Sequence, residues 1–242
     1  MLLLCYNESL ALIDNLNQIR YRMRAAALRA HRNPDALRLV VVTKYASLED
    51  VQVILNSGLV AEVGENRVQN AEKKKIALRQ QGSKVKWHML GHLQTNKAKK
   101  AVEIFDAVDS VDSEKIAAAL DAALAGSEEK FPVMVQVKLT DRETQSGVAP
   151  GELGALLEAL RKYERLKVEG LMGIAPDLEP VEAVRPSFRT LRELRDRHLP
   201  GGLLSMGMSH DFEIAIEEGA DLVRIGSQIF FQPSPASEGA PA

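Results

Sequence analysis

Leu39-Val40-Val41-Val42-Thr43-Lys44 is the stretch on which the fold turns. Four apolar residues, three of them β-branched, are followed by a threonine and a lysine, which reads as a buried strand ending in a polar group. Seven further β-like runs follow it at Leu59–Val63, Val85–Leu90, Ile104–Val108, Pro132–Val137, Leu166–Met172, Leu203–Met206 and Leu222–Ile225. Helical stretches are predicted between them over Leu48–Ser57, Val68–Gln80, Asn96–Val102, Glu114–Ala125, Leu153–Lys162, Glu182–Arg197 and Phe212–Glu218. Ser47 and Ser113 stand where helices should start, and Gly58 and Gly219 where helices should end. Eight β-like runs with helical crossovers predict an α/β fold, a (β/α)8 TIM barrel. A doubly wound open sheet is the structural alternative, but its usual dinucleotide fingerprint is missing.

Upstream, Leu10, Ile13, Leu16, Ile19, Met23, Ala27 and Ala30 recur at helical spacing until Asn33-Pro34-Asp35 breaks the pattern. The expected organisation is an additional N-terminal helical segment (1–35) packed on a barrel (36–231), with a disordered tail over 232–242. The 242 residues suffice for one large core without metal or disulfide. Cys5 is the single cysteine, which excludes an intrachain disulfide and suits a reducing compartment. Met1-Leu2-Leu3-Leu4-Cys5 is too short to span a bilayer and lacks the basic start of a secretory signal, so a cytoplasmic protein without a membrane partner is expected. Lys and Arg total 31 against 33 Asp and Glu, a formal charge of -2 that argues against nucleic acid.

In such a barrel, functional residues gather at the C-terminal ends of strands. Lys44 ends the first run, and it reads either as a solvated lysine or as an amine held for carbonyl chemistry. Arg224, flanked by Val223 and Ile225, needs a partner for its charge: a carboxylate, a phosphate or a ring nitrogen. Gly207, Gly226 and Ser227, with the hydroxyls of Ser205 and Ser209, suit either tight turns or the phosphate site that barrels build after their last two strands. His88 and His92 are four apart, but Gly91 between them and the lack of a third ligand argue against a metal. Asn66 is a polar group in reach of a rim ligand, with Glu65 and Arg67 expected to pair with each other or with neighbours. Lys73-Lys74-Lys75, Lys97 and Lys99-Lys100 read as solvated helix faces.

Val41-Val-Thr-Lys44, Gly64-Glu-Asn-Arg-Val-Gln69, Trp87-His-Met-Leu-Gly-His-Leu-Gln-Thr-Asn-Lys97, Ser110-Val-Asp-Ser113, Ser146-Gly-Val148, Gly170-Leu-Met-Gly-Ile174, Leu204-Ser-Met-Gly-Met-Ser209 and Val223-Arg-Ile-Gly-Ser227 form an ordered set across nearly the whole chain. With them the sequence resembles the pyridoxal phosphate homeostasis proteins, which are related to the barrel domain of alanine racemase. The resemblance implies that pyridoxal 5'-phosphate (PLP) is the cofactor, held on Lys44 as an internal aldimine. Ser205, Met206, Gly207, Gly226 and Ser227 match the family's phosphate loops, Arg224 the arginine near the pyridine nitrogen, and Asn66 and His88 rim positions beside the cofactor. Thr43, His210 and Phe231 depart from the family pattern.

An arginine at the ring nitrogen cannot take up a proton, so strong carbanion stabilisation is disfavoured. Only fifteen residues follow Ser227, too few for the second domain that supplies a racemase with its opposite-face tyrosine. The expectation is therefore a PLP-binding homeostasis protein without assigned catalytic residues or robust activity, a monomer or weak dimer that delivers PLP to recipient enzymes. A weak or narrow-specificity amino-acid racemase is the alternative.

Overall fold

The computed structural model describes residues 2–78, 85–140, 142 and 145–230. Phe231 and the expected tail over 232–242 lie outside these residues. Eight parallel strands close into a barrel in sequence order, with the last pairing back to the first. They are β1 (Arg38–Val42), β2 (Glu62–Glu65), β3 (Lys86–Met89), β4 (Ala107–Val111), β5 (Phe131–Val137), β6 (Leu166–Gly173), β7 (Leu203–Ser205) and β8 (Leu222–Ile225). The crossovers carry α2 (Leu48–Asn56), α3 (Val68–Leu78), α4 (Ala98–Ile104), α5 (Glu114–Ala123), α6 (Leu153–Leu160), α7 (Arg185–His198) and α8 (Phe212–Glu217). A first helix, α1 (Leu2–Arg29), precedes β1, and a short α9 (Ser227–Phe230) follows β8.

Strand residues alternate between two cores. Val41, Val63, Val108, Val133, Val135, Leu171, Leu204, Val223 and Ile225 face outward, where the helices bury them. Val40, Met134, Met172 and Leu222 fill the barrel interior with Leu90. Ser47 caps α2 as its sequence position suggests, accepting from the Asp50 amide. Ser113 does precede α5, but its side chain makes no capping bond. Gly58 and Gly219 end helices with φ of 69° and 108°, the left-handed conformation that glycine adopts without steric cost.

Two strands start three residues later than their apolar runs indicate. Leu59–Val63 was expected, yet Leu59 and Val60 pack beneath the strand and β2 is Glu-Val-Gly-Glu. Likewise Ile104 and Phe105 belong to the end of α4, and β4 carries Asp109 and Ser110 within it. In both cases buried polar side chains occupy the strand because the barrel supplies partners that a short sequence window does not contain.

Helix α1 anchors the site-bearing end of the barrel. Its buried face, Leu12, Leu16, Ile19, Met23, Ala26 and Ala27, follows the 3.6-residue period. Asn15 Nδ2 donates to the Ile229 carbonyl of α9 at 3.1 Å, and Arg22 pairs with Glu213 while lying 4.6 Å above the Phe212 ring of α8. The segment after α1 opens with Asn33 capping a 3-10 turn over Pro34–Ala36. Among the described residues no helix is long and apolar enough to cross a membrane.

Candidate functional site

At the end of β1, Thr43 is fully buried and its geometry is fixed from three sides. Its amide donates to the Gly64 carbonyl at 3.0 Å, and its hydroxyl donates to Glu65 Oε1 at 2.7 Å. Lys74 Nζ, from α3, donates to the Thr43 carbonyl and bridges to Glu65 at 2.8 Å. Glu65 thus pairs with Thr43 and Lys74, and Lys74 is turned inward although its sequence reads as part of a solvated lysine run. The next residue, Lys44, is exposed, with Nζ 4.9 Å from the Tyr45 ring centroid.

Across the β8–β1 seam, β8 directs Arg224 into the barrel. Its guanidinium donates from Nη1 to Ser205 Oγ at 2.7 Å and from Nη2 to the Gly173 carbonyl at 2.8 Å. Burial pulls the Arg224 pKa down to about 10, opposed by the charges of Asp109 and Asp211, so it remains a cation near neutral pH. The chain after β7 turns at Gly207, with φ of 93°, and a Cβ there would meet the Ala215 Cβ at 2.6 Å. The Met208 amide donates to Asp211 Oδ1 at 2.6 Å. Burial raises the Asp211 pKa, while this amide and Arg224 pull against the rise. After β8, Gly226 packs so closely that an added Cβ would stand 2.7 Å from the Val42 carbonyl. Ser227 Oγ donates to Ser209 Oγ at 2.8 Å, tying the two late turns together.

These groups surround one cavity of about 300 Å3. Val42, Lys44, Tyr45 and Ala46 bound it from β1; Met208, Ser209 and His210 from the turn after β7; Arg224, Gly226, Ser227 and Phe230 from β8 and beyond. Four larger grooves lie elsewhere: about 440 Å3 beside Trp87 between α3 and α4, about 500 Å3 between α1 and the base of β1, about 420 Å3 between Lys138 and Pro186, and about 580 Å3 along α1 from Asp14 to Arg22. We favour the smaller cavity because an amine, a buried guanidinium and two linked serine hydroxyls converge on an otherwise apolar wall.

Of the residues singled out from sequence, Lys44, Arg224, Gly226 and Ser227 share this cavity. Ser205 is buried and holds Arg224, Met206 is buried in the core, and Gly207 shapes the turn. Asn66 is exposed on the turn after β2 and does not line the cavity. His88 is not at the rim. It lies inside the barrel, only 3% exposed, with Nδ1 3.1 Å from Asp109 Oδ1 and Nε2 3.4 Å from Glu62 Oε2. Glu62 Oε1 in turn accepts from Arg38 Nε at 2.8 Å. Burial works against a charged imidazole, but the two carboxylates outweigh it and hold the His88 pKa up at about 9. Burial also works against the Glu62 carboxylate, yet His88 and Arg38 keep its pKa low. Glu65, Lys74 and Asp211 carry no sequence signal for these roles; Glu62 does, as a carboxylate inside an apolar run, and Asp109 does as the polar residue that closes the fourth run. His92 pairs separately with Asp112, and no cluster of three metal-ligating side chains occurs among the described residues.

The architecture is that of a racemase-type barrel: a family model described as alanine racemase, N-terminal domain, matches residues 15–233. Alanine racemase from Clostridium difficile shares the fold at 17% identity, with a TM-score of 0.66 over 94% of this chain and 57% of that one. The nearer similarity is narrower. The pyridoxal phosphate homeostasis protein of Aquifex aeolicus is 39% identical, covering 90% of this chain and 96% of that protein, and its Escherichia coli K12 counterpart is 34% identical over 89% and 94%. PipY of Synechococcus elongatus, solved with PLP bound, is 35% identical with a TM-score of 0.73, covering 86% of this chain and 99% of that one. The chain belongs to the pyridoxal phosphate homeostasis protein family.

Proposed function

We propose that this protein binds PLP in the cavity between β1 and β8 and serves intracellular PLP homeostasis, holding the cofactor and delivering it to PLP-dependent recipient enzymes. The observation that carries this reading is the convergence of Lys44, Arg224, Gly226 and Ser227 from opposite ends of the chain on one small cavity. Its volume sits at the lower end of small-molecule sites, roughly 300–1,000 Å3. The close approaches at Gly207 and Gly226 leave backbone rather than side chains in the late turns, as a phosphate cradle requires. The PLP-bound PipY structure and the homeostasis relatives support the choice of ligand.

In this reading Lys44 is the attachment point, its amine condensing with the cofactor aldehyde to a Schiff base with loss of water. Gly226, Ser227 and Ser209 take the phosphate, with Ser205, Met206 and Gly207 holding the turn in shape. Arg224, kept cationic, faces the ring nitrogen. Asn66 borders the rim from β2, and His88 acts from below. The protein works in the cytoplasm as a monomer or weak dimer. PLP supplies an aldehyde and an electron-withdrawing ring; the chain supplies a fixed amine, an anion cradle and a cation that does not accept a proton.

The test is borohydride reduction of the PLP-treated protein, followed by intact mass and peptide mapping beside an amino-acid turnover screen. One adduct on Lys44 with little turnover is expected. An adduct confined to another lysine overturns the site, and robust turnover lost in Lys44→Ala makes the protein an enzyme.

A further inference from the structure

Lys44 sits on a turn with little hold of its own. Thr43, Lys44, Tyr45 and Ala46 form a β-turn, closed where the Ala46 amide donates to the Thr43 carbonyl at 3.0 Å. Lys44 and Tyr45 at its centre are exposed, and their backbone groups make no hydrogen bond among the described residues. The same Thr43 carbonyl also accepts from Lys74 Nζ, which comes from α3 and donates to Glu65 Oε1 at 2.8 Å. Glu65 Oε1 accepts from the Thr43 hydroxyl as well, at 2.7 Å. Thr43 and Glu65 are fully buried, and the Lys74 side chain is 13% exposed. An ion pair so far from water returns little net stability, because desolvation cancels most of its attraction, and apolar side chains of similar volume often stabilise as well. What the ammonium does here that an apolar side chain cannot is hold the carbonyl from which Lys44 departs.

We propose, resting on the PLP-binding reading, that Lys74 is a positioning residue for Lys44: held by Glu65 and bonded to the Thr43 carbonyl, it fixes the turn that presents the Lys44 amine to the cavity. The turns after β7 and β8, which bound the cavity from the other side, share no hydrogen bond with Glu65 or Lys74 among the described residues. Holding the phosphate and presenting the amine are therefore separable, the first belonging to the late turns and the second to Lys74. Without Lys74 the turn still closes through the Ala46 amide, but it swings on that single bond, and the amine meets the aldehyde in fewer of its orientations. In the attachment itself the Lys44 nitrogen forms a C=N bond, the aldehyde C=O bond breaks, and its oxygen leaves as water with the two amine protons. Lys74 exchanges no proton in that step.

The experiment compares the wild type, Lys74→Arg and the double variant Glu65→Gln with Lys74→Met. Each is followed by urea unfolding, by the Kd of pyridoxamine 5'-phosphate, which has the ring and phosphate but no aldehyde, and by the rate at which the Lys44-linked absorbance grows at saturating PLP. The double variant removes both buried charges, so its stability should return toward wild type while the Thr43 carbonyl stays without its ammonium. In it the affinity for pyridoxamine phosphate should stay within about threefold of wild type, while attachment of PLP slows by roughly tenfold or more. Lys74→Arg keeps a cation for both Glu65 and the carbonyl, and should attach PLP within about threefold of the wild-type rate. A stable double variant that attaches PLP at the wild-type rate overturns the proposal. So does a parallel loss of pyridoxamine phosphate affinity and attachment rate, which marks a general packing defect. If the double variant does not fold, Lys74→Gln, judged by the same two outcomes, decides. A wild type that forms no adduct on Lys44 overturns the PLP reading itself and this proposal with it.

Discussion

Raising the pH from 6 to 9.5 should weaken the fold through one buried imidazole, and His88→Gln should remove most of that dependence. The folded-state pKa of His88 is about 9 against an ordinary value of 6.5. A raised pKa means that the folded protein binds the proton more tightly, so the stabilisation is complete below about pH 6.5 and is lost as the pH climbs through 9. At about 1.4 kcal/mol per pH unit of difference, the full effect is roughly 3 kcal/mol, a large share of a domain's net stability. Little solvent screening applies, since the His88 side chain is 4% exposed and its partners Asp109 and Glu62 are 1% and 11% exposed. The assay is urea unfolding of the wild type and His88→Gln at several pH values across this window, read as the difference between them so that other titrating groups cancel. NMR of the ligand-free protein gives the companion measurement: the His88 ring signals should not titrate between pH 6 and 8. Identical pH dependence in the two proteins, or a His88 midpoint near 6.5, would refute the reasoning.

Other perturbations separate the parts of the site. Lys44→Ala should abolish the borohydride-stable adduct while changing stability by no more than about 0.5 kcal/mol, because the side chain is exposed; urea unfolding and intact mass check the pair. Lys74→Met strands the fully buried Glu65 carboxylate and should cost about 3–5 kcal/mol in urea unfolding. Adding Glu65→Gln to it should recover part of that loss. Gly207→Ala combines positive φ with a 2.6 Å approach to Ala215, so it should cost roughly 2 kcal/mol or more and weaken PLP retention measured by equilibrium dialysis.

The barrel was legible because its outward strand faces and crossover helices follow simple periods. Leu39–Val42 is a buried strand in any reading, and the Ser47 and Gly58 signals bound α2 closely. Lys44 and Arg224 stood out for a related reason, being charges set at or within apolar runs that a parallel strand would bury. The sequence by itself therefore determined the order of elements, the rim and two of the groups on it. The tertiary structure alone decided what the interior charges do. Glu62 reads as a carboxylate within an apolar run and Glu65 as a loop residue until closure of the barrel makes partners of Arg38, Thr43, Lys74 and His88, which lie 9 to 26 positions away. His88 matched a rim motif, yet strand parity and the register of β3 against β4 turn its ring inward onto Asp109. Periodicity reports how much a side chain prefers burial; it does not report which charge waits on the far side of a closed sheet, because that depends on where each strand starts and on which residues the closure brings opposite it.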